Sequence, residues 1–230
     1  MDKYFLKDLK KYGKFMATTI NHGLFKYKIF GQNPHESMVE WSQKCLEILG
    51  ISVKITGLEH IDYKNPQIIL ANHQSNIDII IMAAAVPVEF YWIYKKELNS
   101  MPIVGSYLRE SGHISINRHQ RQNAIKSLKK AAKIIRRGKN IVAFPEGTRS
   151  GKRELKRFKK GVFHLALEAQ VPIIPLTLDN SYKLMKKGEW KLADFDVNVT
   201  VHPPVQTAGK TKQELDTVIS KVKSVINSVL

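Results

Sequence analysis

A histidine and an aspartate five residues apart, His73 and Asp78, lie in the stretch LANHQSNIDIII between two strongly apolar runs. In one continuous helix this spacing would turn the two side chains about 140° apart, so they would not share a face. They can meet only if His73 lies on a turn and Asp78 belongs to the first turn of the helix that follows. A carboxylate on one imidazole nitrogen fixes the tautomer and leaves the other nitrogen free to accept a proton. The pair could then act as a general base.

Two other interpretations of this pair stay open. His73 could be satisfied by local hydrogen bonds while Asp78 caps the helix, and on the pair alone this structural interpretation is favoured. A metal site would need a third and a fourth ligand, and the sequence offers none. Ser75 lies inside the stretch, but no GxSxG elbow surrounds it. A general base without a protein nucleophile must activate a hydroxyl or a water brought by the substrate.

The segment FPEGTRSG, residues 144–151, is a second candidate site. Pro145 and Gly147 predict a tight turn directly after a buried strand, from which Glu146, Thr148 and Arg149 project. A threonine hydroxyl and backbone N–H groups can bind the oxygens of an anion, and an arginine can bind a phosphate through two hydrogen bonds. The spacing is not that of a P-loop. Alternatively, the turn is structural and Glu146 pairs with Arg149.

The elements that must position these residues alternate between short apolar strands and helices from Ile51 onward. This alternation predicts an α/β fold with a layered, mostly parallel sheet flanked by helices. Functional residues of such sheets collect where strands end and lead into helices. Lys95 and Arg118 also follow predicted strands, so four strand ends offer a basic or catalytic group. We expect strands in ISVKITG, QIILA, FYWIY, HISI, NIVAF, VPIIPLTL and FDVNVTV.

Three helices are predicted in some detail. A helix at residues 35–49 should bury Cys45 in the core and end at Gly50. A basic helix at residues 123–137 should turn Ile125, Leu128, Ala132 and Ile135 inward. The last helix should begin with a capping box at residues 211–214.

Composition narrows the class of protein and of partner. The 230 residues suffice for one sizeable domain, and a single cysteine excludes a disulfide framework and indicates a reducing compartment. The net charge is +17, and residues 118–160 hold 16 Lys and Arg against two acidic residues. Positive charge concentrated in one segment predicts an anionic partner, which could be nucleic acid, a membrane surface or a phosphorylated substrate.

The first 30 residues predict an amphipathic helix in which aromatic residues alternate with lysines. Such a helix could lie in a membrane interface or pack on the core with a solvated lysine face. We therefore divide the chain into a helical, membrane-interfacial segment at residues 1–50 and an α/β domain at residues 51–230. No signal peptide and no apolar run long enough to span a membrane are visible. We expect a peripheral protein on the cytoplasmic face of a membrane.

Four ordered segments of the chain resemble the conserved blocks of the glycerolipid acyltransferase family, specifically of 1-acyl-glycerol-3-phosphate acyltransferases. The segment NHQSNID resembles the first block and FPEGTRS the third. GHISINR resembles the second block and VPIIPLT the fourth, although Asn117 stands where the family often has aspartate before the arginine. The resemblance extends from about residue 51 to residue 205.

The resemblance implies a role for each matched residue. His73 would be the general base on the glycerol hydroxyl, oriented by Asp78. The hydroxyl would attack the thioester of acyl-CoA or acyl-carrier protein directly, with no other cofactor. The partners implied are lysophosphatidic acid, the acyl thioester and an anionic membrane surface. The other residues would bind substrate: Lys95, Arg118 and Arg149 the phosphate, and Glu146, Gly147 and Thr148 the glycerol.

Alternatives differ in substrate or in class. Within the family, glycerol-3-phosphate or another lysophospholipid could be the acceptor. The basic helix at residues 123–137 and residues 152–160 could contact anionic headgroups. A nucleic-acid-binding protein would explain the charge but not the His73–Asp78 pair, and no nucleic-acid-binding motif is visible. A non-catalytic membrane-surface protein is the third possibility.

Overall fold

A computed structural model describes residues 3–117, 121–184 and 196–230. The described residues form a seven-stranded sheet in the order β1-β7-β6-β2-β5-β3-β4. All neighbouring strands are parallel except β6 and β7, so the predicted, mostly parallel sheet is confirmed. The strands are β1 (Val53–Thr56), β2 (Ile68–Ala71), β3 (Phe90–Lys95), β4 (Ile114–Ile116), β5 (Asn140–Ala143), β6 (Ile173–Asp179) and β7 (Val197–Val201).

Helices cover both faces of this sheet. A first layer contains α1 to α4 together with a π-helical segment, and a second layer contains α5, α6 and α8. Both faces of β2 and β5 are therefore buried, which explains why these strands are apolar at nearly every position. The helices are α1 (Lys3–Ile20), the π-helical segment (Asn21–Ile29), α2 (Pro34–Leu49), α3 (Asp78–Ala85), α4 (Val104–Glu110), α5 (Arg121–Arg136), α6 (Gly161–Ala169), α7 (Ser181–Leu184) and α8 (Leu215–Asn227).

The N-terminal helices share a core with the sheet. Helix α2 begins where the Asn33 side chain accepts the backbone N–H of His35 at 2.8 Å, and it ends at Gly50 with a left-handed φ of 68°. Cys45 on this helix is fully buried, as predicted, and burial raises the pKa of its thiol to about 12. Helix α1 packs against α2, with the rings of Phe15 and Trp41 centred 6.4 Å apart.

Two further predictions have a clear outcome. The capping box before α8 is confirmed, with Thr211 accepting a backbone N–H and Glu214 accepting the N–H of Thr211 at 2.9 Å. The inward position of Ile125 on α5 is wrong, because its side chain is 45% exposed. Ala132 and Ile135 on the same helix are buried.

The sheet order brings the two candidate turns side by side. Strands β2 and β5 are direct neighbours, with Leu70 opposite Ala143. Because they are parallel, the turns that follow them emerge at the same edge of the sheet. β3 lies on the other side of β5, so Lys95 at its end reaches the same edge.

Candidate active site

His73 and Asp78 are joined by a hydrogen bond. His73 lies on the turn after β2, Asp78 is the first residue of α3, and 2.8 Å separates His73 Nδ1 from Asp78 Oδ2. The predicted strand–turn–helix geometry is confirmed. The same carboxylate oxygen accepts the backbone N–H groups of Gln74 at 2.6 Å and Ser75 at 2.8 Å. Asp78 is fully buried, so its position is fixed by the turn that it stabilises.

This network determines which imidazole nitrogen can act as a base. Oδ2 of Asp78 serves only as an acceptor in these three contacts, so the Nδ1 atom of His73 carries the proton and donates it. The Nε2 atom is then the nitrogen that can accept a proton from a bound hydroxyl. Ser75 contributes its backbone N–H to this network.

Glu146 holds the backbone of His73 rather than facing the cavity. One carboxylate oxygen accepts the backbone N–H of His73 at 2.7 Å, and the other accepts that of Lys156 at 2.8 Å. Glu146 is only 2% exposed, and this burial raises the pKa of its carboxyl group, while the two backbone hydrogen bonds oppose the rise. These contacts replace the ion pair with Arg149 that the sequence left open. They tie the turn after β2 to the turn after β5.

An aromatic ring supports the imidazole from its face. The rings of Phe144 and His73 are stacked, with centroids 4.1 Å apart and an interplanar angle of 14°. Trp92 stacks on Phe144 in turn, at 5.7 Å. From the sequence alone, Phe144 is only the first residue of the predicted turn. Its role depends on a contact between the turns after β2 and β5, and the only local signal was an aromatic residue directly before Pro145.

An apolar cavity of about 350 Å³ extends from His73 along the first helical layer. At the sheet edge it is lined by His73 and by Gly147, Thr148 and Arg149 of the second turn. Gly147 has a φ of 74°, which a glycine adopts at little cost. Elements that the sequence did not connect with the site contribute to the interior wall: Thr19 of α1, His22 and Gly23 of the π-helical segment, Met38 and Trp41 of α2, and Tyr107 and Leu108 of α4.

The remaining predicted site residues have different positions. Lys95 lines the cavity and lies 3.6 Å from Glu97, in an exposed ion pair. Arg149 is exposed at the cavity mouth. Its backbone oxygen accepts a hydrogen bond from the ammonium group of Lys156 at 2.5 Å. Arg118 lies outside the described residues. No three His, Cys, Asp or Glu side chains in the described ranges come together as a metal site would require.

Comparison with known proteins identifies a family whose model matches this chain. The model of the family described as Acyltransferase matches residues 52–179 of this chain. The 1-acyl-sn-glycerol-3-phosphate acyltransferase of Limnanthes alba is 32% identical over 179 residues, which are 77% of this chain and 63% of that protein. The Saccharomyces cerevisiae protein of the same name is 34% identical and is matched over 59% of its length. The match thus spans less than two thirds of either relative.

A solved structure is similar over nearly its whole length. The crystal structure of the 1-acyl-sn-glycerophosphate acyltransferase from Thermotoga maritima superposes with a TM-score of 0.79 at 26% sequence identity. The superposition covers 99% of this chain and 96% of that one. It therefore includes the N-terminal helices as well as the sheet.

Proposed function

We propose that this chain, which belongs to the acyltransferase family, transfers a fatty acyl group from an acyl thioester to the sn-2 hydroxyl of lysophosphatidic acid. The product would be phosphatidic acid. The observation that carries the proposal is the His73–Asp78 pair, which lies at the mouth of an apolar cavity beside Lys95 and Arg149. The names of the relatives from Limnanthes alba and Thermotoga maritima agree with it.

The geometry supports direct transfer to the acceptor. Nε2 of His73 removes the proton of the bound hydroxyl as its oxygen attacks the thioester carbon. Collapse of the resulting intermediate breaks the carbon–sulfur bond, and the imidazolium returns the proton to the departing thiolate. Asp78 stabilises the imidazolium through the 2.8 Å hydrogen bond. Coenzyme A and a carrier protein both present such a thioester, and either would serve as donor.

Three backbone donors of the turn after β2 are not available to stabilise the thioester oxygen. The backbone N–H of His73 is bound to Glu146, and those of Gln74 and Ser75 are bound to Asp78. These three donors are already used and would not be available to a developing oxyanion. General base catalysis contributes about 10²–10⁴-fold, so the rest of the acceleration would come from positioning and charge stabilisation.

The cavity has a charged edge and an apolar wall, which suit the phosphate and the alkyl chains of the substrates respectively. Arg149 and Lys95 lie at the sheet edge, where they can bind the acceptor phosphate, and an arginine can do so through two hydrogen bonds. The wall built by Met38, Trp92 and Leu108 suits an alkyl chain. Glycerol-3-phosphate brings no alkyl chain, so this wall would then hold only the donor chain.

We also place the protein on a membrane surface. Several of its large exposed apolar side chains belong to the N-terminal segment, among them Ile29 at 64% and Phe30 at 76% exposure. Met16 and Ile20 are also exposed, and lysines accompany these two residues on α1, as in helices that lie in an interface. Within the described residues, no helix has the length and apolar character needed to cross a bilayer.

The test is an acceptor-by-donor panel on the purified protein, scored by product mass. Wild-type protein should convert lysophosphatidic acid to phosphatidic acid, and His73→Ala should lose about 10²–10⁴-fold in turnover with an unchanged circular dichroism spectrum. His164→Ala, at an exposed histidine of α6, is the matched control and should retain activity. Full turnover by His73→Ala would contradict the catalytic assignment. No acyl product with any acceptor would contradict the proposed function.

A further inference from the structure

One face of helix α5 carries four lysines. Lys126, Lys129, Lys130 and Lys133 follow the spacing i, i+3, i+4, i+7, which places them on one side of the helix, and all of them are exposed. Of the ion pairs between described residues, none involves these lysines. Like charges at such spacings destabilise a helix. A face that repels itself and has no acidic side chain paired with it is suited to an anionic partner.

The loop between β5 and α6 extends this charge. Arg157 and Lys159 are exposed there, on either side of Phe158, whose side chain is buried in the same core as α5. Helix α6 then packs on α5, and a Cβ atom added at Gly161 would lie 3.4 Å from Cδ1 of Leu128. These contacts bring the loop and the helix together into one basic surface, made of Lys126, Lys129, Lys130, Lys133, Arg157 and Lys159.

The acidic residues near the basic surface do not neutralise it. Glu146 is buried and accepts two backbone N–H groups. Glu154 lies 2.5 Å from Lys152 in an exposed ion pair, and Asp216 of α8 lies 2.7 Å from Lys160. Each of these carboxylates already has a partner outside the basic surface, so its charge is left for a ligand.

The basic surface reaches the edge of the sheet at which His73 lies. The backbone N–H of Lys159 donates to the carbonyl oxygen of Pro145 at 2.7 Å. Earlier in the same loop, the backbone N–H of Ser150 donates to the carbonyl oxygen of His73, also at 2.7 Å. The loop that carries Arg157 and Lys159 is thus fixed to both turns of the site. A partner bound to this loop would lie beside the mouth of the cavity.

The position and the extent of the basic surface distinguish between anionic partners. It belongs to the second helical layer, whereas the exposed side chains of Ile29 and Phe30 belong to the N-terminal segment on the other face of the sheet. A bilayer contacted through those side chains would leave the basic surface in water. The surface spans two elements and rises about 10 Å along α5 alone. That extent is broad for the phosphates of a small donor and matches the contact area of a protein.

We propose that the basic surface docks an acidic protein that carries the acyl thioester on a flexible arm, and that the arm enters the cavity mouth beside His73. This inference rests on the proposed function, because it treats the cavity as the site of acyl transfer. Complementary charge steers such a partner toward the mouth and accelerates its encounter, an effect that falls with added salt. Of the two kinds of thioester donor, the carrier protein is therefore the one that this surface favours.

Lys129→Glu with Lys133→Glu should separate the two donors. With lysophosphatidic acid as acceptor, kcat/KM for palmitoyl-carrier protein should fall about tenfold or more at low salt, mainly through KM, because two attractive charges become repulsive. The same variant should retain its activity with palmitoyl-CoA, which also shows that it folds. Lys221→Glu with Lys223→Glu is the matched control, since these exposed lysines of α8 give the same change of net charge. It should keep wild-type kinetics with both donors.

A binding measurement tests the docking without turnover. In surface plasmon resonance, the wild-type protein should bind the carrier protein less tightly as salt is added, and the α5 variant should bind it weakly at every salt concentration. Equal losses with both donors, or unchanged kinetics with the carrier protein, would overturn the inference. Binding of a DNA duplex in place of the carrier protein would overturn it as well. Absence of transfer from either donor would instead reject the proposed function, and the binding measurement would still decide whether the carrier protein docks.

Discussion

Three contacts determine where the His73 imidazole can lie. Glu146 holds its backbone N–H at 2.7 Å, Asp78 holds Nδ1 at 2.8 Å, and the ring of Phe144 supports its face. Each contact removes a different freedom: the position of the backbone, the rotation of the ring and its tilt. A general base is effective only when it is held within hydrogen-bonding reach of the proton that it removes. Residues that never touch the substrate can therefore control the rate.

Glu146→Gln should lower turnover through the position of His73. A glutamine has one carbonyl oxygen and cannot accept both backbone N–H groups, so the N–H of His73 or that of Lys156 loses its partner. An unsatisfied buried donor costs about 1–3 kcal/mol. We expect a lower kcat with nearly unchanged KM for both substrates, measured by steady-state kinetics.

Glu154→Gln is the matched control for this prediction, because Glu154 is exposed in the same loop and pairs with Lys152. It should leave both kinetic constants unchanged. A variant of Glu146 with normal kcat but raised KM for the acceptor would contradict the positioning role. That result would support the substrate-binding role that the family resemblance implied.

His113 joins the connection before β4 to strand β3 through a hydrogen bond. Its Nδ1 atom accepts the backbone N–H of Trp92 at 3.2 Å, and its ring is 5% exposed. Burial, followed by the charges of His35 and Lys130, lowers the pKa of His113 to about 3. Since an unfolded histidine titrates near 6.5, the unfolded chain binds one more proton between about pH 6.5 and pH 3. Stability due to this residue is thus complete above pH 6.5 and is lost as the pH falls.

His113→Gln should make the fold less sensitive to acid. Glutamine keeps an acceptor for the N–H of Trp92 but cannot bind the proton. The wild-type protein should lose up to about 1.4 kcal/mol per pH unit through this one residue below about pH 6.5. Denaturant unfolding at about pH 7 and about pH 5 should show a smaller difference for His113→Gln than for wild type. The exposed control, His164→Gln, should retain the wild-type difference, and equal slopes for all three proteins would contradict the prediction.

Local patterns were sufficient to predict most elements. Alternation of short apolar strands with helices depends on neighbouring residues, and the turn that unites His73 with Asp78 follows from their spacing together with the predicted strand before them and helix after them. Ile125 was wrongly predicted to be buried, because a helical pattern does not reveal how much of the helix the sheet covers. Helix α5 packs on β4, an edge strand of three residues, which leaves little surface to cover the first turns of the helix.

The parts of the site that escaped prediction depend on contacts between distant segments. Whether Glu146 faces a substrate or lies behind the turn is decided by its contact with His73, 73 residues earlier in the chain. The stacking of Phe144 on His73 likewise joins the turns after β5 and β2. The approach of Gly23 to Ile103 brings the π-helical segment to the residue that precedes α4. No local pattern contains these pairs, and they require the fold.

The whole molecule presents two chemically different surfaces on opposite sides of the sheet. Helices α1 and α2 belong to the first helical layer, and the basic helix α5 belongs to the second. The two sequence features that suggested a membrane, an amphipathic N-terminus and a lysine-rich helix, therefore do not face the same way. A flat bilayer that contacts the outer side of the first layer would leave the outer face of α5 in water.

Exposed apolar side chains favour the first layer as the membrane-facing side. Met16, Ile20, Ile29 and Phe30 are all exposed by 36% or more, and all belong to the N-terminal segment. The same segment lines the cavity through Thr19 and Gly23. Contact at this side would bring the cavity close to the lipid that the proposed reaction draws on. Truncation of the segment would damage the cavity wall, so point substitutions give the cleaner test.

Ile29→Ser with Phe30→Ser should weaken binding to vesicles that contain anionic lipid. Each lost apolar side chain removes about 1.5–3 kcal/mol of burial, so partitioning should fall roughly tenfold or more per side chain in a flotation assay. Ile125→Ser is the matched control, because Ile125 is a similarly exposed apolar residue on the opposite layer, and it should bind as wild type does. Lys129→Glu with Lys133→Glu tests the basic face of α5 in the same assay. If these charge reversals abolished binding while the N-terminal pair had no effect, the bilayer would contact α5, and the orientation argued from the exposed apolar residues would be wrong.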